Sequence, residues 1–212
     1  MKPIRMALTK GRLEKDTVAL FERMGLDTAA VRDKGRRLIL PVGEGIEVVL
    51  AKAADVLTYV EHGVCDLGVV GKDTIAEASG PQSAGGFYEV LDLGFGRCRF
   101  ALAAPKDRDF FSGYAAKTIA SKYPNVSRAF FDRKGLDVRI IKIEGSVELA
   151  PLLGLSDGIV DIVETGSTLR ENGLEVVEDV LPISARLIVN MACMKLRKAE
   201  IEQLIARMEE FL

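Results

Sequence analysis

Apolar positions along the chain recur in two rhythms. Short alternating or continuous apolar runs predict strands at 4–8, 37–40, 46–51, 66–70, 100–104, 138–143, 159–163, 175–181 and 185–191. A three-to-four-residue rhythm predicts helices between them. Leu13, Thr17, Leu20, Phe21 and Met24 fall on one helical face, which Gly25 closes. Residues 55–62, with Asp55 as cap, 115–123 and 147–153 also read as helices. The last helix carries an apolar stripe of Ile201, Leu204, Ile205, Met208 and Phe211. Pro41, Gly43 and Gly45 mark a turn between two strands, and the Gly/Ser-rich 78–86 stretch predicts a mobile loop. Strands alternating with helices predict an α/β fold with largely parallel sheets.

The most informative stretch is 158–169, Gly-Ile-Val-Asp-Ile-Val-Glu-Thr-Gly-Ser-Thr-Leu. An apolar strand runs into a hydroxyl-rich glycine turn from which a helix can start. Such a turn aims several backbone N–H groups at one point, a geometry suited to phosphate. Gly166 admits close backbone approach, Thr165, Ser167 and Thr168 add hydroxyls, and Asp161 and Glu164 add acceptors for sugar hydroxyls or a metal. An ordinary helix cap explains the same residues, and on local features both readings stand.

A fainter signal is an internal echo. Gly63–Asp66–Gly71 and Gly158–Asp161–Gly166 share their spacing. As a duplication, this predicts two lobes with ligand loops at strand C-terminal ends, facing across a cleft. Basic residues gather at predicted turns of the first half: Lys10 and Arg12 around Gly11, then Arg36, Arg37, Lys52, and Lys72 after Gly71. Their recurrence suggests a rim that binds polyanions. Arg97 and Arg99 belong either to that rim or to a hinge. Lys195, Arg197 and Lys198 read as a solvated helix face.

Composition narrows the classes. The 212 residues suffice for one large domain or two small lobes, and 48% hydrophobic with 28% charged content is ordinary for a soluble fold. A net charge of −2 supplies no global basic field for nucleic acid, and the chain has no tryptophan for a base-stacking platform. No apolar run spans a bilayer and no signal peptide is visible, so no membrane partner is expected. Three scattered cysteines, Cys65, Cys98 and Cys193, point to a reducing, cytoplasmic setting. His62 is the only histidine, which argues against a His/Cys zinc site and leaves a Ser-His-Asp triad no other base; it reads as a helix-end residue.

Taken together these residues resemble the short-form catalytic subunit of the ATP phosphoribosyltransferase family, which opens histidine biosynthesis. The signature is Glu148, Gly154, Ser156, Ile159, Asp161, Ile162, Thr165, Gly166, Thr168 and Leu169, every spacing met. Further likeness lies in Thr9-Lys10-Gly11-Arg12, Tyr59-Val60-Glu61-His62-Gly63, Gly68-Val69-Val70-Gly71-Lys72-Asp73 and Gly94-Phe95-Gly96-Arg97-Cys98-Arg99.

The resemblance implies a two-lobed fold like the type II periplasmic binding proteins, with mixed sheets, flanking helices and a central cleft. Lobe I would hold 1–92 and 183–212, and lobe II 93–182. It implies transfer of phosphoribosyl from phosphoribosyl pyrophosphate to adenine N1 of ATP. The 161–169 loop (Asp161, Glu164, Thr165, Gly166, Ser167, Thr168, Leu169) would bind the sugar phosphate. Lys10, Arg12, Arg36 and Lys52 would act in catalysis, and Gly11, Gly71, Lys72 and Asp73 would bind ATP or pyrophosphate. Magnesium would arrive with the substrates, with no protein ligands. A homodimer within a hetero-oligomer and a regulatory subunit related to histidyl-tRNA synthetase are also implied. Lys52 departs from the family, which commonly has an arginine there reaching a neighbouring subunit's site; lysine keeps the charge and loses the fork. The long form's histidine-binding C-terminal domain is not expected here. Competing expectations are a non-catalytic anion binder, a phosphoribosyltransferase for a free base, and an inactive regulatory subunit.

Overall fold

The computed structural model describes residues 2–79, 85–107, 109–113 and 115–212. The strands are β1 (Ile4–Thr9), β2 (Ile39–Val42), β3 (Ile46–Ala51), β4 (Leu67–Gly71), β5 (Phe87–Asp92), β6 (Cys98–Pro105), β7 (Lys117–Ser121), β8 (Val138–Lys142), β9 (Gly158–Val163), β10 (Leu174–Ile183) and β11 (Ala185–Asn190). The helices are α1 (Arg12–Arg23), α2 (Ala29–Arg32), α3 (Ala53–Glu61), α4 (Lys72–Ala78), α5 (Pro124–Arg133), α6 (Leu149–Leu152), α7 (Ser167–Glu171), α8 (Met191–Leu196) and α9 (Lys198–Glu210). The chain divides into two compact units. Unit 1 takes Met1–Ile75, Gln82–Gly96 and Ser184–Leu212; unit 2 takes Ala76–Pro81 and Arg97–Ile183.

Unit 1 is built on a sheet of order β2-β3-β1-β4-β11-β5. Successive residues of a strand point to opposite faces, so continuous apolar runs serve a sheet buried on both sides. Met6 and Leu8 of β1 and Leu67 and Val69 of β4 join Leu20 and Phe21 of α1 and Ile201 and Met208 of α9 on one face. Ala7 and Val70 meet Val56, Leu57 and Val60 of α3 on the other.

The unit 2 sheet has the order β10-β6-β9-β7-β8. Phe100, Leu102, Ile119 and Val160 pack beneath Val126, Phe130 and Phe131 of α5. The opposite face is lined by the small Ala101, Ala103 and Ala120, covered by Ala150 of α6 and Leu169 of α7.

Both sheets follow one plan. In unit 1, β1 runs parallel to β3 and β4, and β11 lies antiparallel beyond β4. In unit 2, β7 runs parallel to β8 and β9, and β6 lies antiparallel beyond β9. The sequence echo does not mark equivalent places: Gly71 is the paired last residue of β4, whereas Gly166 lies three residues beyond β9, and Asp161 lies inside β9. The counterpart of Asp66, which precedes β4 and is structural, is Asp157: each bonds the strand alongside through its amide and its carboxylate. The Asp66 carboxylate accepts from the Arg5 amide (2.8 Å) and from Arg197 Nη1 (3.1 Å).

Several expectations need correction. The 115–123 segment is not a helix: Lys117–Ser121 is strand β7, paired on both sides. Its alanines favour a helix locally, but the sheet face it builds needs small side chains, and pairing outweighs propensity. The helix follows instead, as α5, with Pro124 in its first turn, where a missing N–H is harmless. Pro41 lies within β2 rather than in the turn; β2 is an edge strand, where proline is tolerated. Lys52, not Asp55, is the cap residue of α3. The sheets are mixed, since β2, β5, β6, β10 and β11 all pair antiparallel. Of the 78–86 loop, residues 80–84 lie outside the described residues.

Candidate functional site: a hydroxyl-lined glycine turn and a cationic sheet edge

In unit 2 the turn after β9 is organised around Gly166, whose φ of 72° and ψ of 11° are left-handed. That conformation suits a residue without Cβ. Thr165 Oγ1 lies 3.0 Å from Ser167 Oγ, and the Ser167 amide leans on Thr165 Oγ1 at 3.4 Å. Arg170 Nη1 donates to the Thr165 carbonyl (3.1 Å), and the Arg170 amide to the Gly166 carbonyl (3.1 Å). Leu169, buried against Val163 and Leu174, anchors the turn to the sheet. Glu164, Thr165, Ser167 and Thr168 are exposed at its outer surface. α7 is short, so the turn's anion-binding capacity lies in its own N–H and O–H groups.

Asp161 sits upstream in β9, opposite Ala101 of β6. Burial pushes its carboxyl above the ordinary aspartate value, a backbone hydrogen bond from Ile162 opposes this, Glu148 adds repulsion, and Lys122 offsets part of it. Glu148 precedes α6 and belongs to the signature quoted above. Lys122, just beyond β7, carries no signal in the sequence because residues 115–123 have the composition of a helix. The β7–β9 register pairs Ile119 with Gly158 and Ala120 with Ile159; continued, it brings Lys122 level with Asp161.

A carboxyl with a raised folded-state pKa disfavours its charged form in the fold. Its contribution at neutral pH is therefore unfavourable, and it is relieved as pH falls through the folded value towards the unfolded one. Asp161→Asn is expected to raise Tm at about pH 7 and to lose that advantage near about pH 4, close to the unfolded aspartate value. Thermal melts of both proteins across pH check this, and an advantage that grows on acidification contradicts it.

In unit 1 the register gathers the cations named from sequence. Thr9 pairs with Ala51, so Lys10 and Lys52 leave β1 and β3 side by side. Leu8 pairs with Val69, which brings Lys10 level with Gly71, and Lys72 follows. Ile39 pairs with Val49, and the Leu38 carbonyl accepts from the Leu50 amide (2.8 Å), carrying Arg36 towards Lys52. Lys10, Arg36, Lys52 and Lys72 thus line one edge of the sheet, and Arg12 begins α1 there. Gly11, at φ 104°, makes the turn into that helix; buried Glu14 faces its amide and takes the Lys34 ammonium. At Gly71 a Cβ would fall on Asp73 Oδ1, the end of a side chain that folds back over the strand end and would have to rotate away.

Lys72 is paired, its ammonium 2.5 Å from Glu89 Oε2. One cation differs from the sequence reading. Arg197 is no solvated face residue: it donates to the carbonyls of Lys2 (2.7 Å) and Pro3 (3.2 Å) and pairs with Asp66 and Glu200. Arg99 pairs with Asp179 across β6 and β10 (2.6 Å). His62 is the exposed C-terminal cap of α3, as Lys52 is its N-terminal cap, and its Nδ1 lies 2.9 Å from the Thr58 carbonyl. Among the described residues no group of three or more His, Cys, Asp or Glu side chains could hold a metal ion, and no helix is long and apolar enough to cross a membrane.

Comparison with known proteins identifies the family. The family model for ATP phosphoribosyltransferase (HisG) matches residues 52–210. An ATP phosphoribosyltransferase of Clostridium kluyveri is 60% identical over 209 residues, covering 98% of this chain and 93% of that protein. One from Listeria monocytogenes is 55% identical over 213 residues, covering 100% and 97%. Among solved structures, the ATP phosphoribosyl transferase (HisG:HisZ) complex from Thermotoga maritima contains a chain with 32% identity and a TM-score of 0.80, covering 98% of each. The periplasmic aliphatic sulphonate binding protein SsuA from Escherichia coli has a TM-score of 0.63 at 11% identity, covering 99% of this chain and 72% of that one, a likeness of fold alone. A family match over most of the chain, joined to relatives alike along its whole length, gives one conclusion: the chain belongs to the ATP phosphoribosyltransferase family of enzymes.

Proposed function

We propose that the chain condenses ATP with 5-phosphoribosyl 1-pyrophosphate to give N1-(5-phosphoribosyl)-ATP and pyrophosphate, the first step of histidine biosynthesis. The observation that carries this reading is the turn after β9, where left-handed Gly166 is flanked by Thr165, Ser167 and Thr168 and preceded by partly buried Asp161. The turn's amides and hydroxyls take the 5-phosphate, and Asp161 or Glu164 takes the ribose hydroxyls. Leu169 holds the turn to the core. Adenine N1 forms its bond to the anomeric carbon as the bond from that carbon to the pyrophosphate oxygen breaks.

The transition state is oxocarbenium-like, and N1 is nucleophilic without a strong base. Rate then comes from alignment and from neutralising the departing pyrophosphate. Lys10, Arg12, Arg36 and Lys52 serve that neutralisation. Gly11, Gly71, Lys72 and Asp73 complete the edge that binds ATP and pyrophosphate. Magnesium would arrive with the substrates and would supply charge neutralisation at their phosphates, with no protein side chain assigned to hold it.

The Thermotoga maritima relative is found with HisZ. By analogy this chain, as a homodimer, assembles with a histidyl-tRNA-synthetase-like regulatory subunit that raises activity and confers histidine feedback. Its substrates and its free thiols, Cys65, Cys98 and Cys193, agree with a cytoplasmic setting.

An assay of the chain with ATP, adenine or orotate beside phosphoribosyl pyrophosphate tests the reading, run with and without the regulatory protein and histidine. Pyrophosphate release with ATP alone of the three acceptors, raised by the partner and lowered by histidine, is the expected result. Binding without turnover under every condition overturns it.

A further inference from the structure

Lys72 begins α4 beside Lys10 at the cationic edge of unit 1, yet its ammonium is held by Glu89 (2.5 Å). Glu89 reaches it because of an irregularity in β5. Arg186 pairs with Asp92 and Leu187 with Leu91, but Ile188 then pairs with Glu89, skipping Val90. One extra residue reverses the facing of everything beyond it. Without the bulge Glu89 would stand opposite Val189, on the face away from Arg186. With it, Glu89, Arg186 and Asp92 share one face.

Arg186 is incompletely used there. Its Nη2 pairs with Asp92 Oδ2 at 3.0 Å, but Nη1 stands 3.4 Å from Glu89 Oε1, long for a charge-assisted bond. Its Nε is buried and has no hydrogen-bond partner. A buried unsatisfied donor is uncommon and costly, and here it belongs to a guanidinium whose fork matches a carboxylate. Asp92 is fixed separately, accepting from Ser184 Oγ (2.8 Å) and the Gly94 amide (2.9 Å). Glu89 therefore has two cationic partners, one near and held, the other poised with Nη1 turned to it.

The geometry points to an exchange: Glu89 holds Lys72 while the polyphosphate site is empty, and passes to Arg186 when a polyphosphate takes Lys72. This rests on the reading of Lys72 as a polyphosphate ligand. Glu89 and Arg186 are positioning residues, acting through Lys72. An incoming phosphate must compete with Glu89 for the ammonium, and Arg186 lowers the cost of that competition by offering the released carboxylate a closer bond to Nη1. The side chains of Lys72, Glu89 and Arg186 are 28%, 26% and 21% exposed, so all three keep contact with solvent and can rearrange without opening the core.

The test is calorimetric binding of inorganic pyrophosphate, with magnesium, to the full chain. Glu89→Gln is expected to tighten binding about twofold to fivefold, the scale of a part-exposed ion pair. Arg186→Met is expected to weaken it by a similar factor, because Glu89 then has nowhere to go. In Glu89→Gln the further change Arg186→Met is expected to have no effect, and in Lys72→Ala neither change matters. A purely structural role for Arg186 would weaken binding whether or not Glu89 is present, and that additive result overturns the exchange. So does unchanged binding in Glu89→Gln while Lys72→Ala still weakens it, a result that leaves the polyphosphate role of Lys72 standing. If Lys72→Ala binds pyrophosphate as the unmodified chain does, the reading of Lys72 itself falls, and the exchange with it. Thermal melts of each variant separate lost binding from lost fold.

Discussion

Gly166→Val is expected to lower kcat/KM for phosphoribosyl pyrophosphate by at least about 100-fold, roughly 2.7 kcal/mol of transition-state stabilisation, while the chain stays folded. Two costs meet at this position. The backbone has a φ of 72°, a region in which a β-branched residue is a genuine outlier. A Cβ there would also stand 3.3 Å from Arg170 Nη1 and 3.7 Å from Val163 Cγ1. Arg170 Nη1 is the group that holds the Thr165 carbonyl, so displacing it loosens the turn whose amides and hydroxyls face the phosphate. The exposed surface of the turn leaves the core intact, which is why the loss falls on activity. Gly166→Ala pays the backbone cost without the branch and should lie between. Steady-state kinetics with circular dichroism as a folding control decide it; normal kinetics in folded Gly166→Val would remove the turn from the site.

Phe131→Ala is expected to destabilise unit 2 by about 3–5 kcal/mol, the cost of emptying a fully buried aromatic site. Phe131 is 0% exposed and packs edge-on against Phe130 (centroids 5.0 Å apart) and obliquely against Phe110 (6.3 Å). Phe130 and Phe131, with Val126, pack α5 against the sheet that carries Asp161 and the Gly166 turn. Against a typical total of about 5–15 kcal/mol, the loss is large enough to be seen as a fall in the urea midpoint. The two units have separate cores, so a transition assigned to unit 2 should move while that of unit 1 holds. An unchanged midpoint would mean that the cluster adds little to stability.

The sequence was most readable where pattern and packing agree. The apolar runs of β1, β3, β4 and β9 are strands because a sheet buried on both faces needs them so. The α1 face of Thr17, Leu20, Phe21 and Met24 is buried. The turn at Gly166 was visible because only a few residue types suit its conformation. Reading failed where tertiary demand overrides local preference. β7 is alanine-bearing because its neighbours leave little room, and propensity alone makes such a stretch a helix. That error hid Lys122 beside Asp161. β5 was missed because half its side chains face solvent and a bulge breaks its alternation. The pairing of Lys72 with Glu89 depends on that bulge, and no spacing in the sequence announces it. Arg197 looked solvated because its partners, the carbonyls of Lys2 and Pro3 and the Asp66 carboxylate, are distant in sequence.

In the unit 1 sheet, β5 has one neighbour, β11, and β11 also closes the edge of β4. On a ribosome the whole of Arg97–Ile183 is synthesised before β11 exists. Unit 2 can therefore finish folding during translation, while the first half of the chain waits with the edge of β4 open and β5 unpaired. Leu187 and Val189 cover that edge on one face and Ile188 on the other only once β11 has emerged. The amino-terminal half is thus made first and completed last, and until then the apolar edge of β4 is the surface a nascent-chain chaperone would meet.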